Sequence, residues 1–168
     1  MEIINYENGL KLIKPKTYAD NRGLFTETYN QNRYKEIGLV DFVQDNCSFS
    51  NAGVLRGLHN QKNCHKLITC LYGRIMDVAV DIRTGEYKIV ELSGENKWQF
   101  YLTDNFLHGF YAYEPSVVSY KVSVGHNTAD EISVRWDSVG IEWYNINPIL
   151  SDKDKNAKMF KELYGWHD

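Results

Sequence analysis

"RIMDVAVDI", residues 74–82, decides how this chain is read. Met76, Val78, Val80 and Ile82 fall on one side of it, and Asp77, Ala79 and Asp81 on the other. A two-residue period belongs to a β-strand, whose successive side chains point to opposite faces. Outward from it, "SVVSYKVSV" (116–124) repeats the period, with Val118, Tyr120, Val122 and Val124 on one face. In "KWQFYL" (97–102), Trp98, Phe100 and Leu102 alternate with Gln99 and Tyr101. The turn signals "YGR" (72–74), "RTGE" (83–86) and "LSGEN" (92–96) separate such runs at intervals of about 8 to 12 residues, the rhythm of an antiparallel sandwich or barrel rather than of βαβ units.

Helix signals are sparse. "NQNRYKEIG" (30–38) reads as a short helix ended by Gly38. "SDKDKNAKMFKELYG" (151–165) reads as one C-terminal helix, with Ser151 as N-cap, Asp154 at the third helical position, an apolar stripe of Ala157, Phe160 and Tyr164, and Gly165 as the stop. No linker, repeat or low-complexity tract divides the chain, so residues 1–168 are expected to form a single domain, mostly β with a helical tail.

At 168 residues a domain buries roughly two thirds of its unfolded surface and needs no disulfide or metal staple. A net charge of −3 without any basic run argues against a nucleic-acid partner, whose phosphates call for clustered Lys and Arg. Cys47, Cys64 and Cys70 cannot all pair within one chain and match no zinc spacing, which points to reduced thiols. "MEIINYENGL" (1–10) lacks an apolar leader core, and no apolar run approaches the ~20 residues that span a bilayer. The expectation is a soluble, cytoplasmic protein without a membrane partner.

"SNAGVLRGLHNQ" (50–61) places a guanidinium and an imidazole three residues apart in an apolar run. Neither is buried cheaply without a partner, so an anion and a proton donor or acceptor are expected to meet Arg56 and His59. On the period of two, Leu55, Gly57 and His59 share a face, and Lys66 opens the next strand. A lone histidine in a strand is more often a hydrogen-bonded core residue, a strand-end lysine more often snorkels, and a buried tyrosine usually needs a structural bond. Asp154 equally suits the start of a helix. A histidine base and a tyrosine acid such as Tyr120 projecting into one barrel would nonetheless make an acid/base pair. The rival reading is a metal site built from His59, His65, His108 and Asp77, although the chain has no His-x-His.

Taken in order, "NRGLFTE" (21–27), "QDNCSFS" (44–50), "GVLRGLHNQ" (53–61), "KLITCLYGRIMDVAVDIR" (66–83), "LHGF" (107–110), "SYK" (119–121), "DEISVRWDSVGIEW" (130–143) and "ILSDKDK" (149–155) resemble the nucleotide-sugar 3,5-epimerase family. The resemblance implies a cupin-type antiparallel β-barrel or jelly roll, a homodimer, no cofactor and no metal. It implies a nucleoside-diphosphate 4-keto-6-deoxy sugar as substrate, with dTDP-4-keto-6-deoxyglucose first, in a route to a surface polysaccharide. His59 resembles the family's base, Asp154 its partner, Lys66 the cation beside the enolate oxygen, and Tyr120 the acid on the opposite face. Arg56 resembles a diphosphate ligand. Arg22, Phe25 and Glu27 would help bind the nucleotide across a dimer interface, with Gln44, Asn46 and Glu131 nearby, and Asp77 and His108 would line the sugar site. Asn60 and His126 depart from the family's usual aromatic residue and tyrosine. The base (thymine, cytosine or guanine) and the number of inverted centres stay open, as do a single-centre epimerase on a CDP- or GDP-linked sugar and a metal-dependent cupin or ketoisomerase.

Overall fold

The computed structural model describes residues 1–165. Strands dominate: β1 (Glu2–Asn5), β2 (Lys11–Lys14), β3 (Thr17–Asp20), β4 (Gly23–Thr26), β5 (Gln44–Ser50), β6 (Leu55–Gln61), β7 (Lys66–Tyr72), β8 (Arg74–Asp81), β9 (Tyr87–Ser93), β10 (Gln99–Leu102), β11 (Phe106–Ala112), β12 (Ser116–Val122) and β13 (Glu131–Ser133). The helices are α1 (Gln31–Glu36), α2 (Asp152–Lys155) and α3 (Phe160–Tyr164). Every pairing between these strands is antiparallel: a six-stranded sheet β1-β2-β10-β7-β12-β5 faces a five-stranded sheet β13-β6-β11-β8-β9, and β3-β4 forms a separate hairpin. No helix among the described residues is long and apolar enough to cross a membrane.

The alternation in residues 74–82 is real, but both faces of β8 are buried. Ile75 and Ala79 join Ile68, Phe100 and Val118 in the core between the sheets. Met76, Val78 and Val80 pack outward against Val134, Val139, Trp143 and Phe160 of the C-terminal segment. Asp77 lies on the inner face and is fully buried, so the polar positions of this strand point into the barrel.

A third cluster covers the outside of the six-stranded sheet, where Tyr34 and Leu39 pack on Ile13, Leu67 and Tyr101. Its polar centre is satisfied: Tyr34 Oη donates to Gln99 Oε1 at 2.6 Å, and Gln99 Nε2 donates to Thr28 O at 2.7 Å. Tyr34→Phe, which strips Gln99 Oε1 of its donor, is expected to lower stability in urea unfolding by about 1–3 kcal/mol. Burial also pushes the Tyr34 phenol up to about 12. The folded chain therefore keeps a proton that an unfolded tyrosine releases near pH ~10, so this contribution is complete below that pH and is lost as pH rises toward about 12. The phenylalanine variant should lack that alkaline loss.

The predicted helix of residues 30–38 is present as α1, capped by Asn30, whose side chain accepts from Arg33 N at 3.2 Å. The single C-terminal helix is not: Lys158 O accepts from Arg135 N at 2.8 Å, which draws residues 157–159 into a non-helical link between α2 and α3. A sheet contact made from far along the chain overrides local helix propensity there. Ser151 is the N-cap of α2 as expected, accepting from Asp154 N at 3.1 Å.

Candidate active site

The site starts from an irregularity in β6. His108 of β11 stands opposite His59, and Phe110 opposite Arg56, so two residues of β11 span three of β6. This is a β-bulge, and it shifts the alternation by one residue. Leu55 and Leu58 both pack into the outer core, and the polar Arg56 and His59 both line the cavity, which Leu55 also borders. The expected shared face of Leu55, Gly57 and His59 is corrected accordingly. Gly57 has φ +127°, and a Cβ there would meet Gly109 Cα at 2.5 Å, so the close approach of β6 and β11 at the bulge requires glycine.

The C-terminal segment then delivers a carboxylate. Ile149 is stitched to the start of β6 by Leu55 N donating to Ile149 O at 3.0 Å and Ile149 N to Gly53 O at 2.8 Å. Five residues on, α2 sets Asp154 against the imidazole, and His59 Nε2 and Asp154 Oδ1 share a hydrogen bond of 2.5 Å. Asp154 is 3% exposed, and its Oδ2 accepts from Gly57 N at 3.4 Å. Burial works to raise its pKa, yet the bond and charge of His59, with Gly57 N–H and Ser151, outweigh burial and hold the carboxyl below its usual value. An ionised Asp154 orients the ring and leaves its other nitrogen to act.

The cavity is about 500 Å³, walled by both sheets and closed by residues 149–154. Tyr120 enters from β12, where it pairs with Asn46 and Ile68. Burial raises its phenol pKa against the opposing effect of Arg56, so the proton is present at neutral pH. Lys66 opens β7, with Nζ donating to His59 O at 3.5 Å, and burial lowers its pKa. His108 Nε2 bonds the buried Asp77 at 2.9 Å. Desolvation raises the Asp77 pKa, with His108 and Lys66 pulling the other way. Glu131 lines the cavity and pairs with Lys153 at 2.7 Å. The arrangement puts an oriented imidazole, a buried lysine and a protonated phenol around one cavity, which suits moving a proton to and from carbon.

Of the residues expected at a site, His59, Lys66, Tyr120, Asp154, Arg56, His108 and Glu131 line this cavity, with Asp77 behind His108. Arg56 Nε donates to Ser50 Oγ at 3.0 Å. Gln44 and Asn46 lie on the inward row of β5 beside the lining residue Ser48 and bond each other at 2.8 Å. Arg22, Phe25 and Glu27 do not reach the cavity within one chain. Arg22 pairs with Asp20 at 2.6 Å, Phe25 is 68% exposed, and Glu27 pairs with Arg33 at 2.7 Å. His65 is turned to Tyr101, its Nδ1 sharing a 2.6 Å bond with the Tyr101 hydroxyl, and so does not join His59 and His108. Among the described residues, no three His, Cys, Asp or Glu side chains are grouped to hold a metal ion. Lining residues that sequence reasoning passed over are Ser48, Gln61, Cys64 and Lys153. Only Lys153 had a visible signal, its place next to Asp154 in "SDKD" (151–154).

The fold is a cupin-type jelly roll, and the relatives that follow make this chain a carbohydrate isomerase. The sequence profile of the dTDP-4-dehydrorhamnose 3,5-epimerase family matches residues 7–162. A dTDP-4-dehydrorhamnose 3,5-epimerase of Shigella flexneri is 41% identical over 162 residues, 89% of this chain and 90% of that protein. The crystal structure of a dTDP-6-deoxy-D-glucose-3,5-epimerase from Legionella pneumophila in complex with dTDP-4-keto-L-rhamnose is 41% identical, with TM-score 0.91, covering 96% of this chain and 94% of that one. A 3′-monoepimerase from Streptomyces bikiniensis in complex with dTDP-quinovose is 30% identical, with TM-score 0.85, covering 90% of this chain and 84% of that one. The chain belongs to the dTDP-4-dehydrorhamnose 3,5-epimerase family.

Proposed function

We propose that the protein inverts C3 and C5 of dTDP-4-keto-6-deoxyglucose, giving dTDP-4-keto-rhamnose, with His59 as base and Tyr120 as acid. The observation that carries this reading is the His59–Asp154 pair and the protonated Tyr120 lining one cavity with Lys66. His59 takes the proton from the carbon beside the ketone, and the electron pair moves to O4 as an enolate. The Lys66 ammonium, costly to bury unpaired, gains a counter-charge as that oxyanion forms, so it stabilises the transition state more than the ketone. Tyr120 then protonates the carbon from the other face and the ketone re-forms. Each centre loses one C–H bond and gains another on the opposite side, with no net redox change.

Arg56 offers its planar fork to the diphosphate, and His108, held by Asp77, meets the sugar. The β3–β4 hairpin exposes Tyr18, Leu24 and Phe25 at 55%, 53% and 68%. That apolar exposure supports a homodimer in which the hairpin brings Arg22, Phe25 and Glu27 to the nucleotide of the other copy. The likeness to a 3′-monoepimerase makes a single-centre reaction the second reading. Product analysis separates them: with a 4-ketoreductase in excess, dTDP-rhamnose is expected from dTDP-4-keto-6-deoxyglucose. A product inverted at one carbon would install the second reading, and turnover of a CDP- or GDP-linked sugar alone would change the substrate.

A further inference from the structure

Little fixes the Lys66 ammonium directly. Among the described residues it has one hydrogen bond, the 3.5 Å contact with His59 O. The Lys66 backbone is the last rung of the six-stranded sheet at that end, paired with Leu102 and Val122, the final residues of β10 and β12. Before it the chain crosses from β6 of the other sheet through the short link 62–65. A terminal rung frays unless something outside the ladder ties it down.

His65 supplies the tie. Lys66 faces the cavity, while His65 joins the outward row continued by Leu67, because successive residues of extended chain point to opposite faces. His65 N donates to Ser123 Oγ at 2.9 Å, and Ser123 N donates to His65 O at 3.0 Å. The ring reaches Tyr101 of β10, 2% exposed, through the 2.6 Å bond between Nδ1 and the hydroxyl. A phenol has one hydrogen to give, and the Val40 backbone N–H is bonded to the same oxygen, so that hydrogen goes to Nδ1. The ring is then neutral and carries its own proton on Nε2, the nitrogen 3.8 Å from Asp104 Oδ1. Burial acts in the same sense, lowering the His65 pKa against the opposing charge of Asp104.

We propose that His65 is a positioning residue for Lys66: bonded to Tyr101 on the outside of the sheet, it clamps the start of β7 and so sets where the ammonium stands in the cavity. The proposal rests on reading Lys66 as the group that stabilises the enolate. A lysine is a point charge on a flexible four-carbon stem, so the place of its Cα governs which oxygen it reaches. A misplacement of about 1 Å is enough to cost a reaction about 10²-fold in rate.

Coupled-reductase kinetics test it on wild type, His65→Leu, His65→Asn, Tyr101→Phe, Lys66→Met and the double variant His65→Leu/Lys66→Met, with calorimetric dTDP affinity measured for each. Leucine removes the acceptor and Tyr101→Phe removes the donor, whereas asparagine puts an amide oxygen near the place of Nδ1. His65→Leu and Tyr101→Phe should each lower kcat about tenfold, with KM and dTDP affinity within about twofold of wild type. His65→Asn should restore kcat to within about threefold of wild type, since its amide oxygen accepts in place of Nδ1. His65→Leu should cost nothing further once Lys66 is methionine, because a positioning residue acts through the group it positions. General damage to the fold would instead weaken dTDP binding and lower the residual turnover of Lys66→Met. Wild-type kcat in His65→Leu or Tyr101→Phe, equal loss in the leucine and asparagine variants, or an undiminished loss on top of Lys66→Met would overturn the positioning role. Turnover of Lys66→Met close to wild type would bring down the reading of Lys66 itself, a failure distinct from the others.

Discussion

His59→Ala is expected to lower kcat by about 10³- to 10⁴-fold while leaving dTDP affinity within a few fold. The carbon beside a ketone is a weak acid, so removing the base removes the step that starts the reaction, whereas the nucleotide is held by other groups. Asp154→Asn should also impair turnover, because an amide can hold the ring but neither fixes the same tautomer nor stabilises the imidazolium that forms. Its shape is nearly that of aspartate, so Ser151 can still accept from the backbone N–H of residue 154 and cap α2. Steady-state kinetics with a coupled reductase read both variants. Turnover in His59→Ala close to wild type would remove the imidazole from the mechanism.

Tyr120→Phe is expected to separate two events that wild type couples. Loss of the hydroxyl removes the proton source on the far face, so inversion should fall by about 10²- to 10³-fold. His59 can still take a proton and return one to the same face, so exchange with solvent deuterium should persist well above the rate of inversion. The phenol pKa, raised chiefly by burial, keeps the proton on Tyr120 across the neutral range, so the difference from Tyr120→Phe should extend through neutral pH. Equal loss of exchange and inversion would mean that the hydroxyl helps form the enolate rather than quench it.

Much of this was legible in the residues, and the gaps have physical causes. Periods of two at residues 74–82 and 116–124 locate strands because side-chain alternation is a local property of extended chain. They do not reveal that β8 is covered on both faces, since the outer cover comes from Val139, Trp143 and Phe160, far along the chain. The bulge at Gly57 escapes a strict period of two, yet "LRGLH" (55–59) carries its trace: apolar residues at 55 and 58 and polar ones at 56 and 59 are offset by three. The break between α2 and α3 depends on a pairing with Val134 that no helical propensity encodes. Arg22 and Phe25 stand away from the cavity of one chain, a distance that no local pattern in residues 21–27 encodes.

Proton NMR of wild-type protein with dTDP-4-keto-6-deoxyglucose in D₂O tests the central claim most directly. Enzyme-dependent loss of both the C3 and C5 proton signals is expected, because each carbon must release its proton to a base in contact with solvent. Retention of both signals, at enzyme concentrations that bind dTDP, would contradict proton transfer at these carbons.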